Sequence, residues 1–284
     1  MRKLPVHLDA VSIQPSWDCG RACKGCYLQN KSKANRGQQS LKWFQELFRS
    51  IFTETHSLFT TKQVTLSVDK LPADHRRAAF MEEILDIFLK QPKGLTEKHI
   101  TVHSRMDLEQ YGPYRFLKAF QSELDWISVS KIHNDYDTRT LSNMGPRINW
   151  NTLPAGIRGY GFCAETLSFV DHLHLLLEKP VLGQDFNRIA EIDFMKTRDF
   201  LRQHFPSELR QGKITFDPCH MALEGYYTKG WGCSSNLRKI SIWPDGTVTG
   251  CPYDSGREEL DHEESLVMAL RDEYDWERCR IKEL

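Results

Sequence analysis

Short apolar or alternating runs recur along this chain, separated by stretches whose apolar residues fall at helical spacing. Residues 11–14 ("VSIQ"), 63–69 ("QVTLSVD"), 99–104 ("HITVHS"), 126–132 ("WISVSKI") and 147–151 ("RINWN") are β-branched or alternate in polarity, and are expected as strands. Between them, "SLKWFQELFRSIF" (40–52) and "ADHRRAAFMEEILDIFLK" (73–90) have helical periodicity, and Asp74 stands where an N-cap is wanted. Further helices are expected over 108–124, interrupted at Gly112-Pro113, near 137–143, and over about 185–204. The apolar segment "FVDHLHLLLEKP" (169–180) fits either class.

Repeated strand-then-helix units predict right-handed crossovers and an α/β fold with a parallel sheet, open or closed into a barrel. In such folds chemistry gathers at the carboxyl ends of the strands. After about residue 210 the pattern changes. "KITFDPCH" (213–220) and "RKISIWPDGTVTGCP" (238–252) read as strands, Asp245-Gly246 is a hairpin turn signal, and a helix is expected from about 257 to 271. The expected division is a core over 1–210 and a small β-rich extension over 211–284.

Composition narrows the function classes. The 284 residues are 40% hydrophobic and 27% charged, and Lys plus Arg balances Asp plus Glu at 38 each. No global charge points to nucleic acid or an anionic membrane. The run Lys31–Arg36 and the pair Arg76-Arg77 give only local positive charge, so nucleic acid is not excluded as a partner. The start "MRKLPVHLDAVSIQ" lacks a long apolar stretch, and no 18-residue apolar run occurs, so a cytoplasmic chain without a membrane partner is expected. In a reducing compartment clustered cysteines indicate metal rather than disulfides. No Ser/His/Asp arrangement, P-loop or dinucleotide fingerprint is present.

Three of the eight cysteines, Cys19, Cys23 and Cys26, lie within "SWDCGRACKGCYLQN", and the next is Cys163. A closed structural zinc site needs four ligands, commonly as paired CxxC knuckles, and this trio has neither the pairing nor a nearby fourth. Soft thiolates also select iron–sulfur clusters. Three on a four-iron cube leave one iron open to another ligand. The null for any single cysteine is a buried small hydrophobe.

The spacing CxxxCxxC, early in the chain and ahead of βα units, resembles the cluster loop of the radical S-adenosylmethionine (SAM) superfamily. The resemblance implies a partial (β/α)6 TIM-like barrel and a [4Fe-4S] cluster on Cys19, Cys23 and Cys26, with SAM on the fourth iron. Reductive cleavage of SAM would then give a 5′-deoxyadenosyl radical that abstracts a substrate hydrogen, with an electron donor such as flavodoxin or ferredoxin. Two departures stand out. Gly25 replaces the aromatic residue usual before the third cysteine, with Tyr27 following. "TLSVDKLP" replaces the Gly-Gly-Glu-like segment, with Ser67 and Asp69 as its polar members. Tyr27, Ser67, Asp69 and Ser130 are the candidate SAM contacts.

Cys233 to Cys251 reads C-x12-G-x4-C, which resembles the opening of the SPASM/twitch extension. That resemblance implies a hairpin plus helix holding an auxiliary iron–sulfur cluster. Cys233 and Cys251 are its first ligand candidates and Cys219 and Cys279 the further ones; Cys163 has no ligand-like spacing. His103, Arg105, Ser128, Ser130, Asn149, Asn151 and Glu178 fall near strand ends, and alternate members are candidates to line a cavity. The family likeness points to a peptide or protein side chain or a small metabolite as substrate, with a nucleobase as the alternative. A non-catalytic zinc interaction protein and a plain iron–sulfur electron carrier are the competing classes.

Overall fold

Strand polarity decides how this chain folds, because each strand has one apolar side and one polar side. The computed structural model describes residues 6–17, 37–52, 59–68, 74–110, 121–132, 135–159, 164–178, 188–217, 239–249 and 258–259. Ten strands form one sheet. They are β1 (Val6–Ile13), β2 (Phe59–Ser67), β3 (Glu97–Ser104), β4 (Trp126–Lys131), β5 (Arg147–Thr152), β6 (His172–Leu175), β7 (Ile214–Phe216), β8 (Lys239–Ile242), β9 (Thr247–Thr249) and β10 (Glu258–Glu259). The order is β10-β9-β8-β1-β2-β3-β4-β5-β6-β7. Strands β1 to β7 are parallel in sequence order, and β8 lies parallel to β1 on its other side. β9 and β10 are antiparallel to their neighbours. The protein is an α/β chain with a mostly parallel central sheet.

Helices fill the crossovers. They are α1 (Leu41–Phe52), α2 (His75–Leu89), α3 (Arg105–Gln110), α4 (Asp135–Ser142), α5 (Pro154–Gly159), α6 (Ala164–Phe169), α7 (Arg188–His204) and α8 (Pro206–Arg210). Ser40 caps α1 by accepting from the Trp43 amide at 3.2 Å, and Asp74 caps α2 by accepting from the Arg77 amide at 3.0 Å. Phe44, Phe48 and Ile51 recur on one face of α1. Phe48 meets Phe88 of α2 with ring centroids 5.4 Å apart.

Register aligns Ile13, Leu66, Ile100, Ile127 and Ile148 in one row across the sheet, with Val102, Val129, Trp150 and Leu173 in the next row toward the carboxyl ends and the pair Val11 and Val64 one row before. All are buried, and with the inward helix residues they form a single core. Two aspartates pin this register at the amino ends of strands. Asp125 accepts from the Lys98 amide at 2.8 Å, and Asp171 accepts from the Ile148 amide at 2.7 Å.

Lys98 is the exception on the apolar face. It is fully buried, and its ammonium donates to the carbonyls of Leu89 at 2.9 Å and Gln91 at 2.6 Å, with Glu123 at 3.5 Å. Those carbonyls belong to the end of α2, where orphan acceptors and the helix dipole favour a cation. Burial draws the Lys98 pKa down, and Glu123 opposes it.

Several boundaries differ from the sequence expectation. β1 starts at Val6, earlier than expected, because polar His7 and Asp9 pair across to Thr60 and Lys62. The ambiguous segment at 169–180 resolves into the end of α6 and strand β6. The helix expected from 108 begins instead at Arg105, where Asp107 of the first turn reaches back to accept from the Ser104 amide at 2.9 Å and its hydroxyl at 2.8 Å. Glu258 and Glu259, expected in a helix, instead pair with Val248 and Thr247 as an edge strand, so ladder bonds override helix propensity. Asp245-Gly246 does turn a hairpin, with Gly246 at φ 85°. Segments after residue 210 contribute to both edges of the same sheet, β7 beside β6 and β8 beside β1.

Replacing Lys98 with Met keeps the stem and removes the donors. It should cost about 2–4 kcal/mol, since two buried carbonyls lose their partner. A urea midpoint unchanged from the parent protein would contradict the capping role.

Candidate functional site

The second face of the sheet is polar, unlike an ordinary parallel sheet buried on both sides. Register lays its side chains out in rows. Ser12, Thr65, His99, Trp126 and Arg147 are aligned, followed toward the carboxyl ends by Ser67, Thr101, Ser128, Asn149 and His172. Asn151, His174 and Thr215 form the next row. Leu8 and Ala10, buried at the amino end of β1, interrupt the pattern.

Charge is segregated along the strands. At the amino end Glu97 bonds His99 at 3.0 Å and Arg147 at 2.7 Å, and the Arg147 guanidinium sits 4.1 Å over the Trp126 ring. Burial raises the Glu97 pKa, but His99 and Arg147 outweigh it and hold the carboxyl below its ordinary range. Burial lowers the His99 pKa, partly opposed by Glu97. Toward the carboxyl ends the side chains are uncharged and bonded in series. Asn149 donates to Ser128 at 3.1 Å and to Asn151 at 3.0 Å, and its carbonyl meets His172 Nδ1 at 2.7 Å. His172 Nε2 meets the Thr215 hydroxyl at 2.9 Å, and that hydroxyl meets His174 Nδ1 at 2.8 Å. Burial lowers the His172 pKa.

Of the candidates read from sequence, Ser128, Ser130, Asn149 and Asn151 fall on this polar face, and Ser67 ends β2 on the same side. The hydroxyls of Ser67 and Ser130 engage no partner among the described residues. His103 lies on β3. Arg105 opens α3 and forms ion pairs with Asp137 at 2.7 Å and with Glu109. Glu178 is exposed just past β6. Tyr27, Asp69 and all eight cysteines, namely Cys19, Cys23, Cys26, Cys163, Cys219, Cys233, Cys251 and Cys279, lie outside the described residues. No group of three His, Cys, Asp or Glu side chains suited to a metal occurs among the described residues. His172, His174, Thr215, Glu97 and His99 were not read from the sequence; the alternation in "HLHL" and "ITF" was the available signal.

The approach to the first cysteine segment is built from residues far apart in sequence. Trp17 stacks on Trp243 at 5.7 Å with planes 5° apart, and its indole donates to the Gly37 carbonyl at 3.2 Å. Gln38 donates to the Pro15 carbonyl at 2.9 Å, and the Gln39 side chain to the Asp245 carbonyl at 3.0 Å. The chain therefore leaves the sheet at Trp17 and returns at Gly37 against the β8–β9 turn, at the carboxyl end of β1. The open end of that hairpin points the other way, since β8 runs parallel to β1.

No family model matches the chain, and no curated protein matches it. Among solved structures it is similar to the tryptophan synthase alpha subunit from Campylobacter jejuni, at 13% identity and TM-score 0.37, over 74% of this chain and 86% of that one. It is also similar to the tryptophan synthase alpha chain from Legionella pneumophila subsp. pneumophila, at 10% identity and TM-score 0.35, over 85% and 80%. The subunit from Legionella pneumophila strain Paris gives 10% and 0.34, over 78% and 84%.

The pH dependence of stability follows from the buried imidazoles. His99 and His172 have folded pKa values below the ordinary value of about 6.5, so the unfolded chain takes up protons first on acidification. Their stability contribution is complete above about pH 6.5 and is lost as pH falls through the folded values. Glu97, also lowered, extends the loss below its ordinary range. The urea midpoint should hold steady from pH 7 to 8 and fall from about pH 6.5 to 5, less steeply in the His99→Gln/His172→Gln double variant. A midpoint that rises on acidification would contradict this electrostatic description.

Proposed function

We propose that this chain is a radical SAM enzyme: a partial (β/α)6 barrel with an auxiliary-cluster extension over 211–284, acting on a peptide or protein side chain or a small metabolite. The observation that carries the reading is a juxtaposition. The CxxxCxxC segment begins two residues after Trp17, at the carboxyl end of the first strand of a parallel sheet whose free face is polar. The strand order β1 to β7, with β7 and β10 at opposite edges, supports an open barrel rather than a closed one.

The donor set fits the group. Three closely spaced thiols leave a cubane one ligand short. On the polar face, Ser67 and Ser130 offer hydroxyls with no partner among the described residues, suited to the polar atoms of a sulfonium amino acid and its ribose. Cys19, Cys23 and Cys26 would hold the cluster, and Ser67 and Ser130, with Tyr27 and Asp69, would hold SAM. When bound, these groups supply a 5′-deoxyadenosyl radical able to take a hydrogen atom from a substrate. The chain's own contribution is orientation and exclusion: the polar face binds, the apolar face under the helices excludes water, and the Trp17–Trp243 stack fixes where the cysteine segment departs. Cys233 precedes β8 by six residues and Cys251 follows β9 by two in the sequence, and β8 and β9 pair antiparallel. Cys219 and Cys279 complete the auxiliary set in this reading.

Anaerobic reconstitution with iron and sulfide should give brown protein with about eight irons if both clusters are cubanes. Dithionite and SAM should then release 5′-deoxyadenosine. Changing Cys19, Cys23 and Cys26 to Ala should abolish that release, whereas the Cys233→Ala/Cys251→Ala variant should lose iron and retain some cleavage. Colourless protein with stoichiometric zinc, or undiminished cleavage in the first variant, would overturn the proposal.

A further inference from the structure

Hydrogen-bond polarity on the uncharged half of the polar face is fixed by what each atom is able to do. The Asn149 carbonyl only accepts, so the His172 Nδ1 that meets it at 2.7 Å carries the proton. Burial keeps His172 neutral at pH 7, so its Nε2 accepts, and the Thr215 hydroxyl donates to it at 2.9 Å. That hydroxyl has one proton, so it accepts from His174 Nδ1 at 2.8 Å. On the other side both protons of the Asn149 amide are committed, to Ser128 and to Asn151 Oδ1.

The consequence falls on Asn151. Its carbonyl is consumed by Asn149, and turning its amide over would set NH2 against NH2. With its orientation fixed in this way, the group it leaves unengaged is the Nδ2 amide, a pair of donors. Its Nδ2 engages no acceptor among the described residues, and the residue is half-buried in the outermost row of the polar face. The strand residues of this row and the one below are uncharged. Glu97 and Arg147 satisfy each other at the amino ends, and Lys213 precedes β7 outside the strand.

We propose that Asn151, locked by the Ser128–Asn149–His172–Thr215–His174 chain, is a substrate anchor that takes an uncharged carbonyl oxygen of the amide or nucleobase type. This rests on the reading of the polar face as a substrate cavity. Among the described residues no Lys or Arg stands in these two rows, so a carboxylate or phosphate held against them would be partly buried without a cation, which is costly, and an ammonium or amine would meet the Nδ2 donors. A site that must hydrogen-bond one group discriminates strongly against an analogue lacking it. The carbonyl has two natural sources, a peptide amide and a pyrimidine base, and the anchor's chemistry is the same for both.

The test uses the iron-reconstituted full chain with ¹⁵N-labelled Asn and His, titrated separately with N-acetylglycinamide, N-acetylglycine, uridine and uridine monophosphate. N-acetylglycinamide or uridine should shift the Asn151 side-chain amide signal saturably, and which of the two does so names the source. The matching anion should bind at least about tenfold more weakly. Asn151→Asp, which replaces donors by acceptors, should abolish the neutral probe's effect, and Asn151→Ser, which keeps one donor, should retain part of it. Thr215→Val should weaken binding and remove the donor to His172 Nε2, seen as a shift of that nitrogen's ¹⁵N signal while Nδ1 keeps its proton against Asn149. Equal or tighter binding of the anions, the same binding in Asn151→Asp and the parent, or no shift with any probe overturns the anchor. 5′-Deoxyadenosine release, measured in the same preparation, reports separately on the radical reading: release without probe binding sinks the anchor alone, and probe binding without release sinks only the radical chemistry.

Discussion

Register is the constraint on which everything else in this protein depends. In a parallel sheet each strand's side chains alternate between faces, and a slip of one residue would exchange every inward and outward group. Here a slip would move Val129 and Trp150 out of the core and set Asn149 and His172 among the helices. The chain holds register with more than ladder hydrogen bonds. Asp125 and Asp171 each seize the amide of a neighbouring strand, and the buried ammonium of Lys98 ties β3 to the end of α2. Once register is set, a polar wall and an apolar core are the two sides of one sheet.

That wall shares the carboxyl end of the sheet with a clamp joining residues more than two hundred positions apart. Trp17 and Trp243 stack in parallel, and glutamines 38 and 39 bond the backbone on either side of them. Offset aromatic stacking is worth about 0.5–1.5 kcal/mol beyond the area it buries. The clamp does more than add stability: it ties the departure and return of the first cysteine segment to the hairpin that precedes Cys251 and follows Cys233.

Much of the fold was legible because strand and helix periods differ. Strands around Val64, Ile100, Ile127 and Ile148 declared themselves by β-branching, and Asp74 and the Asp245-Gly246 pair marked a cap and a turn. Failures came where a local signal competed with a distant partner. The strand expected from Val11 begins at Val6, where Thr60 and Lys62 answer His7 and Asp9. Glu258 and Glu259 read as helical until β9 offered its edge. At the site, Asn149 and Asn151 were visible as alternating polar residues, but nothing local joins them to His172 and Thr215. That grouping exists only across three strands. Arg105, a candidate because it follows a strand, opens α3 and pairs with Asp137 and Glu109, partners that nothing local announces. The cysteine reading rests on spacing alone, three thiols in eight residues, and those residues lie outside the described ones.

The account joins this polar wall to an iron–sulfur cube with one corner left open, and that corner is what most needs measuring. The electron paramagnetic resonance spectrum of the dithionite-reduced protein, recorded before and after SAM is added, reports on it directly. A four-iron signal that changes on addition of SAM, and is missing when Cys19, Cys23 and Cys26 are replaced, is the predicted result. A signal indifferent to SAM, or one that survives loss of the three cysteines, would contradict the account.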